Sequence, residues 1–536
     1  MKKKILLSVL ASAVTTSVYA YDMKPVGFKA MSMGGTGVAS TRGSLAGYYN
    51  PALLRFSDHT TELSLNVGVR LRETNLVDHV DALEEMDFTE ALDTLADNAE
   101  QSEISVSIDE SLKSTLDTLV ASGDVNITAA MKAEIDSYNF SDLSTTDIST
   151  LEGYTGSDAD FEVEGNTLVY TQESTLGIYD KKATEEAAQT IEDAIDIITK
   201  KIGTKNALQV SATPTFAAQI SDAMAIGIYG DLDLGLRVNV DENYDQLITK
   251  QEQSDGSSLY YSYDTDTNSY SVTTDSSEYE KSSIEYATEE EVNYIAVDSV
   301  ILGEVPISYA KAYDWNSGTW SFGLNLKPMT LTTYSTKVAL GNSVDDASDD
   351  IEDYETTYKP TIGLDLGLAY RPVNSKMTFG FIAKNINSPT FKVDESATGI
   401  TEDYKIDPLV RAGMSIPFWN DNVEFAFDAD LTKNDTLIED EQSQFVGAGL
   451  EFHPASWFAI SVGAMQDIAA EKFDDGTIMT GGLGFGTKWL QIDLSAMVST
   501  KSGNYDGNEI PRYTAVNLAL VSKWGDGYNR KRAPQK

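Results

Sequence analysis

Apolar and polar residues alternate singly along much of this chain. From Glu62 to Arg72, the residues Leu63, Leu65, Val67, Val69 and Leu71 fall on one face, and Glu62, Ser64, Asn66, Arg70 and Arg72 on the other. The run from Ile226 to Val240 repeats this, with Ile228, Leu232, Leu234, Leu236 and Val238 opposite Tyr229, Asp231, Asp233, Arg237 and Asn239. A period of two marks an extended strand with one apolar and one polar face. Such runs recur about 14 times, the even count used by closed bacterial barrels with lipid outside and a polar lumen inside. The pattern therefore predicts an all-β transmembrane barrel of about 14 antiparallel strands.

The connections sort by length. Tight ones are expected around Ser221-Asp222, Asp314 to Gly318, Pro372 to Ser375, Trp419 to Asn422, His453-Pro454 and Thr487-Lys488. Long ones are expected at 73–206, 241–289, 339–357, 387–406, 434–442, 467–477 and 500–511. They alternate strictly, so all long loops share one end. Outer-membrane barrels keep short turns in the periplasm and long loops outside, which predicts periplasmic termini. Gly303 or Pro306 could mark a kink and a lateral opening, because proline forfeits a ladder hydrogen bond.

The first 20 residues have the layout of a secretory signal peptide: Lys2, Lys3 and Lys4, an apolar stretch from Ile5 to Val14, then Val18-Tyr19-Ala20. The mature chain is expected to start at Tyr21. No later stretch offers the roughly 20 apolar residues of a membrane helix. These readings place the protein in the outer membrane of a Gram-negative bacterium.

Between the first two strands, residues 73–206 form an insertion in which acidic residues outnumber basic ones several-fold. Parts of it read as amphipathic helices: Leu76, Val80, Leu83, Ala91, Leu92 and Leu95; Leu112, Leu116, Leu119 and Val120; and Ala187, Ile191, Ala194, Ile195 and Ile198, closed by Lys200, Lys201 and Gly203. Their apolar stripes need partners, so the helices are expected to pack on each other. Residues 251–285, rich in Ser, Asp, Tyr and Thr, read as a mobile loop or a hairpin.

Little catalytic chemistry is visible. The chain has no cysteine, which excludes disulfides and thiolate sites. His59, His79 and His453 show no metal-ligand spacing, and no nucleophile elbow occurs. The glycines of Gly35-Thr36-Gly37 and of Gly482 to Gly486 do not follow a strand and open a helix, as a dinucleotide loop requires. Asp264, Asp266 and Asn268 begin like a calcium loop, but Ser269 and Asp275 occupy the positions of its glycine and glutamate. No enzyme, metal site or cofactor is predicted. The formal net charge of −45 disfavours nucleic acid as a partner. Outer-membrane lipid and lipopolysaccharide are the expected surroundings, with divalent ions screening the acidic loops. The aromatics Tyr48, Tyr49, Phe56, Trp315, Trp320, Phe418, Trp419, Trp457, Phe458, Trp489 and Trp524 are expected to form an interfacial girdle.

The run Met33-Gly34-Gly35-Thr36-Gly37-Val38-Ala39-Ser40, followed by Gly47-Tyr48-Tyr49-Asn50-Pro51-Ala52-Leu53, resembles the start of FadL-like outer-membrane proteins. Gly380 to Pro389, Arg411-Ala412-Gly413 and Phe427 to Lys433 extend the resemblance. The acidic helical insertion is similar to the TraF-type branch named for conjugal plasmid transfer, and PorV-like secretion proteins are relatives by pattern. Thr41-Arg42-Gly43-Ser44-Leu45 departs from the acidic-polar stretch expected there, and the basic tail Asn529-Arg530-Lys531-Arg532 is unusual.

The resemblance implies that residues 21–61 are a lumenal plug and lead-in, with Gly34, Gly35, Gly37, Tyr49, Asn50, Pro51 and Ala52 as its motif. Residues 62–72 and 207–524 would be the barrel, 73–206 an extracellular insertion and 525–536 a periplasmic tail. It further implies passage of hydrophobic or amphipathic small molecules, by residues not yet assigned. The alternative is a conjugal-transfer or secretion component acting through an envelope protein partner.

Overall fold

The computed structural model describes residues 22–74, 78–79, 86, 88–99, 103–107, 112–122, 129–137, 161–164, 167–171, 181–197, 207–253, 256–290, 292–339, 355–397, 399–436, 442–469, 475–487, 489–505 and 507–525. The signal-peptide segment, Leu76, Val80, Leu83, Ile198, Lys200, Lys201, Gly203 and the basic tail lie outside the described residues.

The strands close into a 14-stranded antiparallel barrel. They are β1 (Thr61–Glu73), β2 (Ala207–Gln219), β3 (Met224–Asn239), β4 (Tyr294–Glu304 continuing as Ile307–Trp315), β5 (Gly318–Ala339), β6 (Glu355–Tyr358 continuing as Thr361–Pro372) and β7 (Thr378–Lys384). The second half is β8 (Leu409–Phe418), β9 (Val423–Asp430), β10 (Phe445–Ala455), β11 (Phe458–Asp467), β12 (Thr477–Gly486), β13 (Leu490–Ser499) and β14 (Tyr513–Trp524). Closure is made by β1, where Leu65 lies opposite Phe216 of β2 on one side and Leu520 of β14 on the other. Lipid offers no hydrogen bonds, so only a ring without free edges is stable in it.

The alternation sets the two faces of the wall. Leu65 and Val67 are each 49% exposed, toward the lipid side, while Glu62, Ser64, Asn66, Arg70 and Arg72 turn inward and are buried. Tight turns and both ends of the barrel sequence lie at one end, where Thr61 pairs with Trp524, and long loops lie at the other. No described helix is long and apolar enough to cross a membrane.

Three expectations need correction. His453-Pro454 is not a turn. Both residues belong to β10, and the ladder skips from Phe452 to Ala455 before turning at Ser456-Trp457. Pro454 has no N–H to donate, and a bulge near a strand end accommodates that. The wall is also not open at Pro306. The register against β3 and β5 is the same on either side of Val305-Pro306. The Val305 N–H donates to Pro328 O at 2.9 Å, and the Gly227 N–H donates to Pro306 O at 3.1 Å. Finally, Tyr48, Tyr49 and Phe56 are buried inside the barrel rather than in a girdle. Trp315, Trp419, Trp457 and Trp489 do stand exposed at the turn end.

At the loop end, the two longest insertions fold together. Helices Phe88–Ala99, Leu112–Ser122 and Lys181–Asp196 carry the expected stripes, with Val120 alone of the Leu112 stripe exposed. They share a core with a six-stranded sheet. Three of its strands come from the first insertion (Glu103–Ser107, Phe161–Glu164, Thr167–Thr171) and three from the second (Ile248–Glu252, Ser258–Asp264, Ser269–Thr273). Within the second insertion, Ser258–Asp264 and Ser269–Thr273 form a hairpin with a buried face of Leu259, Tyr261, Tyr263, Tyr270 and Val272. Asp264 serves this hairpin's turn by accepting the N–H groups of Asp266 at 2.9 Å and Thr267 at 3.0 Å.

Candidate functional site

The N-terminal segment, residues 22–56, lies within the ring of strands as short helical turns, Phe28–Ser32, Gly43–Leu45, Ala46–Tyr49 and Pro51–Phe56. None pairs with the sheet. The segment is held instead by side chains of the inner wall, one contact at a time.

Its backbone donors go to wall oxygens. The Gly37 and Val38 N–H groups both donate to Asp428 Oδ2 of β9, at 2.7 and 2.8 Å. The Gly34 N–H donates to Thr480 Oγ1 of β12 at 2.9 Å, and that hydroxyl donates to Ser32 O at 2.9 Å. Its carbonyls take wall donors: Ser321 Oγ of β5 donates to Ala52 O, and Asn325 Nδ2 of β5 to Gly47 O, both at 2.7 Å. Thr41 to Leu45, where an acidic stretch was expected, receives an acid from the wall. Glu62 Oε1 of β1 accepts from both the N–H and the hydroxyl of Ser44 at 2.9 Å.

The motif residues come together. Asn50 Nδ2 donates to Val38 O and to Leu368 O of β6, each at 3.0 Å, while its Oδ1 caps the next turn by accepting the Ala52 N–H at 3.1 Å. Pro51 opens that turn, where a missing N–H costs nothing. The Tyr49 hydroxyl donates to Val26 O at 2.9 Å and accepts from Val26 N at 2.6 Å. Gly37 faces the Tyr49 ring so closely that a Cβ would sit 2.2 Å from it. Gly34 has φ +69°, and a Cβ there would lie 2.3 Å from Ala464 O and 2.5 Å from Ala448 O of the wall. Gly35 has φ +76° but more room, with Met465 Sδ at 3.4 Å.

All the segment's charges but Arg42, which donates to Ala39 O and Thr378 Oγ1, are paired with groups of the barrel. Lys24 bonds Asp231 and Asp233 of β3. Lys29 reaches Glu424 of β9 at 2.7 Å and Glu451 of β10 at 3.4 Å. Arg55 meets Asp222 at 3.1 Å, and Asp22 meets Arg70 of β1 at 3.3 Å. Burial works against both lysine charges, but their paired carboxylates outweigh it and hold each ammonium above its usual pKa.

Sequence reasoning missed the other half of this fit, the wall glycines. A Cβ on Gly447 would lie 1.8 Å from Gly34 O, one on Gly449 2.4 Å from Met33 Cα, and one on Gly463 2.6 Å from Gly34 N. On the opposite side, Gly323, Gly367 and Gly380 leave room for Ala52, Asn50 and Val38. The signal lay in glycines that recur on the inward face of strands, where glycine otherwise weakens a strand. Small cavities of about 20 and 10 Å³ flank Pro25, each no larger than a single water needs. Asp428 Oδ1 and Arg70 Nε lie beside them without a protein partner, and a water would satisfy each.

Toward the loop end the inner wall changes character. Lys327 of β5, 1% exposed, is bound by Glu304 at 2.9 Å, Asn385 Oδ1 at 2.8 Å and Asp365 at 3.1 Å. Beyond it the inner wall carries an apolar patch, edged by Asp298, Thr333 and Thr356: Val300, Leu302, Met329, Leu331 and Tyr358 pack with Phe391, Tyr404 and Ile406 from the loop after β7.

A family model described as F plasmid transfer operon, TraF, protein matches residues 47–431. The chain belongs to this family. The TraF-type resemblance is thereby borne out. No curated protein matches it. Among solved structures, the TraF-family chain is similar to the toluene transporter TodX of P. putida, at 10% identity and a TM-score of 0.36, covering 95% of this chain and 99% of that one. It is similar to the monoaromatic hydrocarbon channel CymD at 10% identity and 0.38, covering 94% and 99%. A FadL homologue of Pseudomonas aeruginosa matches at 9% and 0.38, with the same coverage. The barrel architecture of the TraF-family chain stands on its own strand pairing.

Proposed function

We propose that this outer-membrane barrel passes hydrophobic or amphipathic small molecules, with the N-terminal segment as its movable plug and its turn end in the periplasm. The observation that carries the reading is the apolar inner wall around Leu302, Met329 and Leu331. A water-filled porin keeps its interior polar. An apolar inner surface under a loop suits a solute that leaves water at the cell surface. The plug is attached by side-chain bonds and not by a ladder, so it can leave without opening the wall. Toluene and related hydrocarbons, carried by the similar channels, are the first solutes to try. The test is uptake of radiolabelled toluene and lauric acid by cells with the gene, without it, and with Phe391→Ala/Tyr404→Ala. Uptake independent of the gene for both solutes would sink the reading.

A second reading, a transfer component acting on a protein partner, is favoured by the family match and by the shared fold of the two long insertions. A surface module with its own core is more than a pore requires. Plasmid-transfer frequency after removal of 80–200 together with 245–285 distinguishes the two readings. Loss of transfer with uptake intact selects the second.

A further inference from the structure

We propose that the barrel is a cation-selective aqueous pore whenever the N-terminal segment leaves its seat. This is a separate activity from the passage of hydrophobic molecules, because it concerns the ionic lining of the polar lumen.

The charges of segment and wall are unlike. Residues 22–56 carry Lys24, Lys29, Arg42 and Arg55 against a single acid, Asp22, in a chain whose formal net charge is −45. The wall facing them is acidic along two arcs. Glu62 on β1, Asp231 and Asp233 on β3, Glu424 and Asp428 on β9 and Glu451 on β10 all turn inward onto the segment. These carboxylates are now satisfied by the segment's ammonium groups, by its N–H groups or by its Ser44 hydroxyl.

The wall's own basic groups offset them only in part: Lys523 reaches Glu62 at 4.0 Å, Arg70 reaches Asp233 at 3.8 Å and His453 lies 2.8 Å from Glu451. Arg411 is bound by Asp430 at 2.5 Å, Arg72 by Asp475 at 2.7 Å, Arg237 by Asp298 at 3.1 Å, and Lys327 by Glu304 and Asp365. These pairs are internal to the barrel and its loops and persist without the segment. Of the cations that face the segment, Arg70 would lose Asp22 and keep Asp233 at 3.8 Å, Lys384 would lose the Tyr48 ring lying 4.2 Å away, and Arg371 would lose the Phe56 ring lying 4.4 Å away. The acids uncovered therefore outnumber the cations uncovered. Fixed charge of one sign in a narrow, low-dielectric passage concentrates the opposite ion and excludes the like one.

The experiment is planar-bilayer recording of the full-length mature chain in a KCl gradient. Wild type, Lys24→Ala/Lys29→Ala and Gly34→Leu are compared, each first shown to be a folded barrel by its heat-dependent gel mobility. Wild type should be nearly silent, with rare openings as voltage rises. Both variants should open far more often, with K⁺ favoured over Cl⁻ by about fivefold or more. In the Gly34→Leu background, Asp231→Asn/Asp233→Asn/Glu424→Gln/Glu451→Gln should bring that ratio toward one. Openings that favour Cl⁻ or neither ion overturn the proposal. So does a ratio unmoved by the wall substitutions, or silence of every folded form, including wild type at high voltage.

Discussion

The N-terminal segment and the loop-end module are both insertions on the same ring, yet they are held by opposite means. The module is an ordinary small core: Leu95, Leu116, Leu119, Leu168, Ile191, Leu259 and Tyr270 pack together, and its helices and hairpin carry visible apolar stripes. The segment has apolar contacts too, but its position is set by glycine-to-backbone approach, by Asp428, Thr480 and Asn325, and by ion pairs at Lys24 and Lys29. The module's contacts are non-directional and tolerate adjustment. The segment's contacts depend on position, and each is lost when a neighbour moves by about an ångström.

The contrast is broken most directly at Gly34. Gly34→Ala combines positive φ with collision against two wall carbonyls and should cost the seat about 3–5 kcal/mol. Gly35→Ala has only the backbone strain and should cost about 1–2 kcal/mol. Protease nicking of the segment in folded barrels ranks the two, and equal sensitivity would refute the wall-contact explanation. Lys24→Met leaves the buried Asp231 without its cation, while Asp233 keeps Arg70 and Ser211, at about 3–5 kcal/mol. Adding Asp231→Asn and Asp233→Asn should restore most of the protease resistance.

In the module, Leu116→Ala should cost about 2–4 kcal/mol and raise hydrogen exchange there alone. If exchange rose equally in residues 22–56, the two regions would be one cooperative unit. The smallest expected effect is one of pH. Burial raises Glu285 to about 7, with Glu289 adding to the rise. The folded module then binds a proton that the unfolded one releases, so this contribution is complete below about pH 4.5 and is lost as pH rises toward 7. The loss is on the order of 1–2 kcal/mol after allowance for partial exposure. Comparing Glu285→Gln with wild type by hydrogen exchange at pH 5 and 7.5 checks the sign. The variant should be flatter.

The ring was legible because lipid on one side and a polar lumen on the other force a strict period of two, as in β1 and β3. The helices around Leu112 and Ile191 were legible for the same reason at another period. The fate of residues 251–285 was hidden by composition, since Ser and Asp dominate and the buried Leu259, Tyr261 and Tyr263 stand out only at alternate positions. The candidate site was half legible. Gly34, Gly37 and Asn50 draw attention as a local motif. The wall glycines that face Gly34, namely Gly447 and Gly463, lie hundreds of residues away, and nothing local marks a strand glycine as the floor of a seat. Tyr48 and Tyr49 misled because an aromatic before a strand can meet lipid or a lumen, and only the closed ring decides which.

That first and last strands are neighbours has a consequence for assembly. β1 meets β14 along its whole length, from Thr61 opposite Trp524 to Arg72 opposite Tyr513. The seam joins residues separated by nearly the entire chain, so it carries the greatest loop-closure penalty of any pairing in the wall. The earliest strand to emerge must therefore wait, unenclosed, for the latest. Residues 22–56 come to lie inside only as that seam zips, like cargo laid in a hull before its final plank.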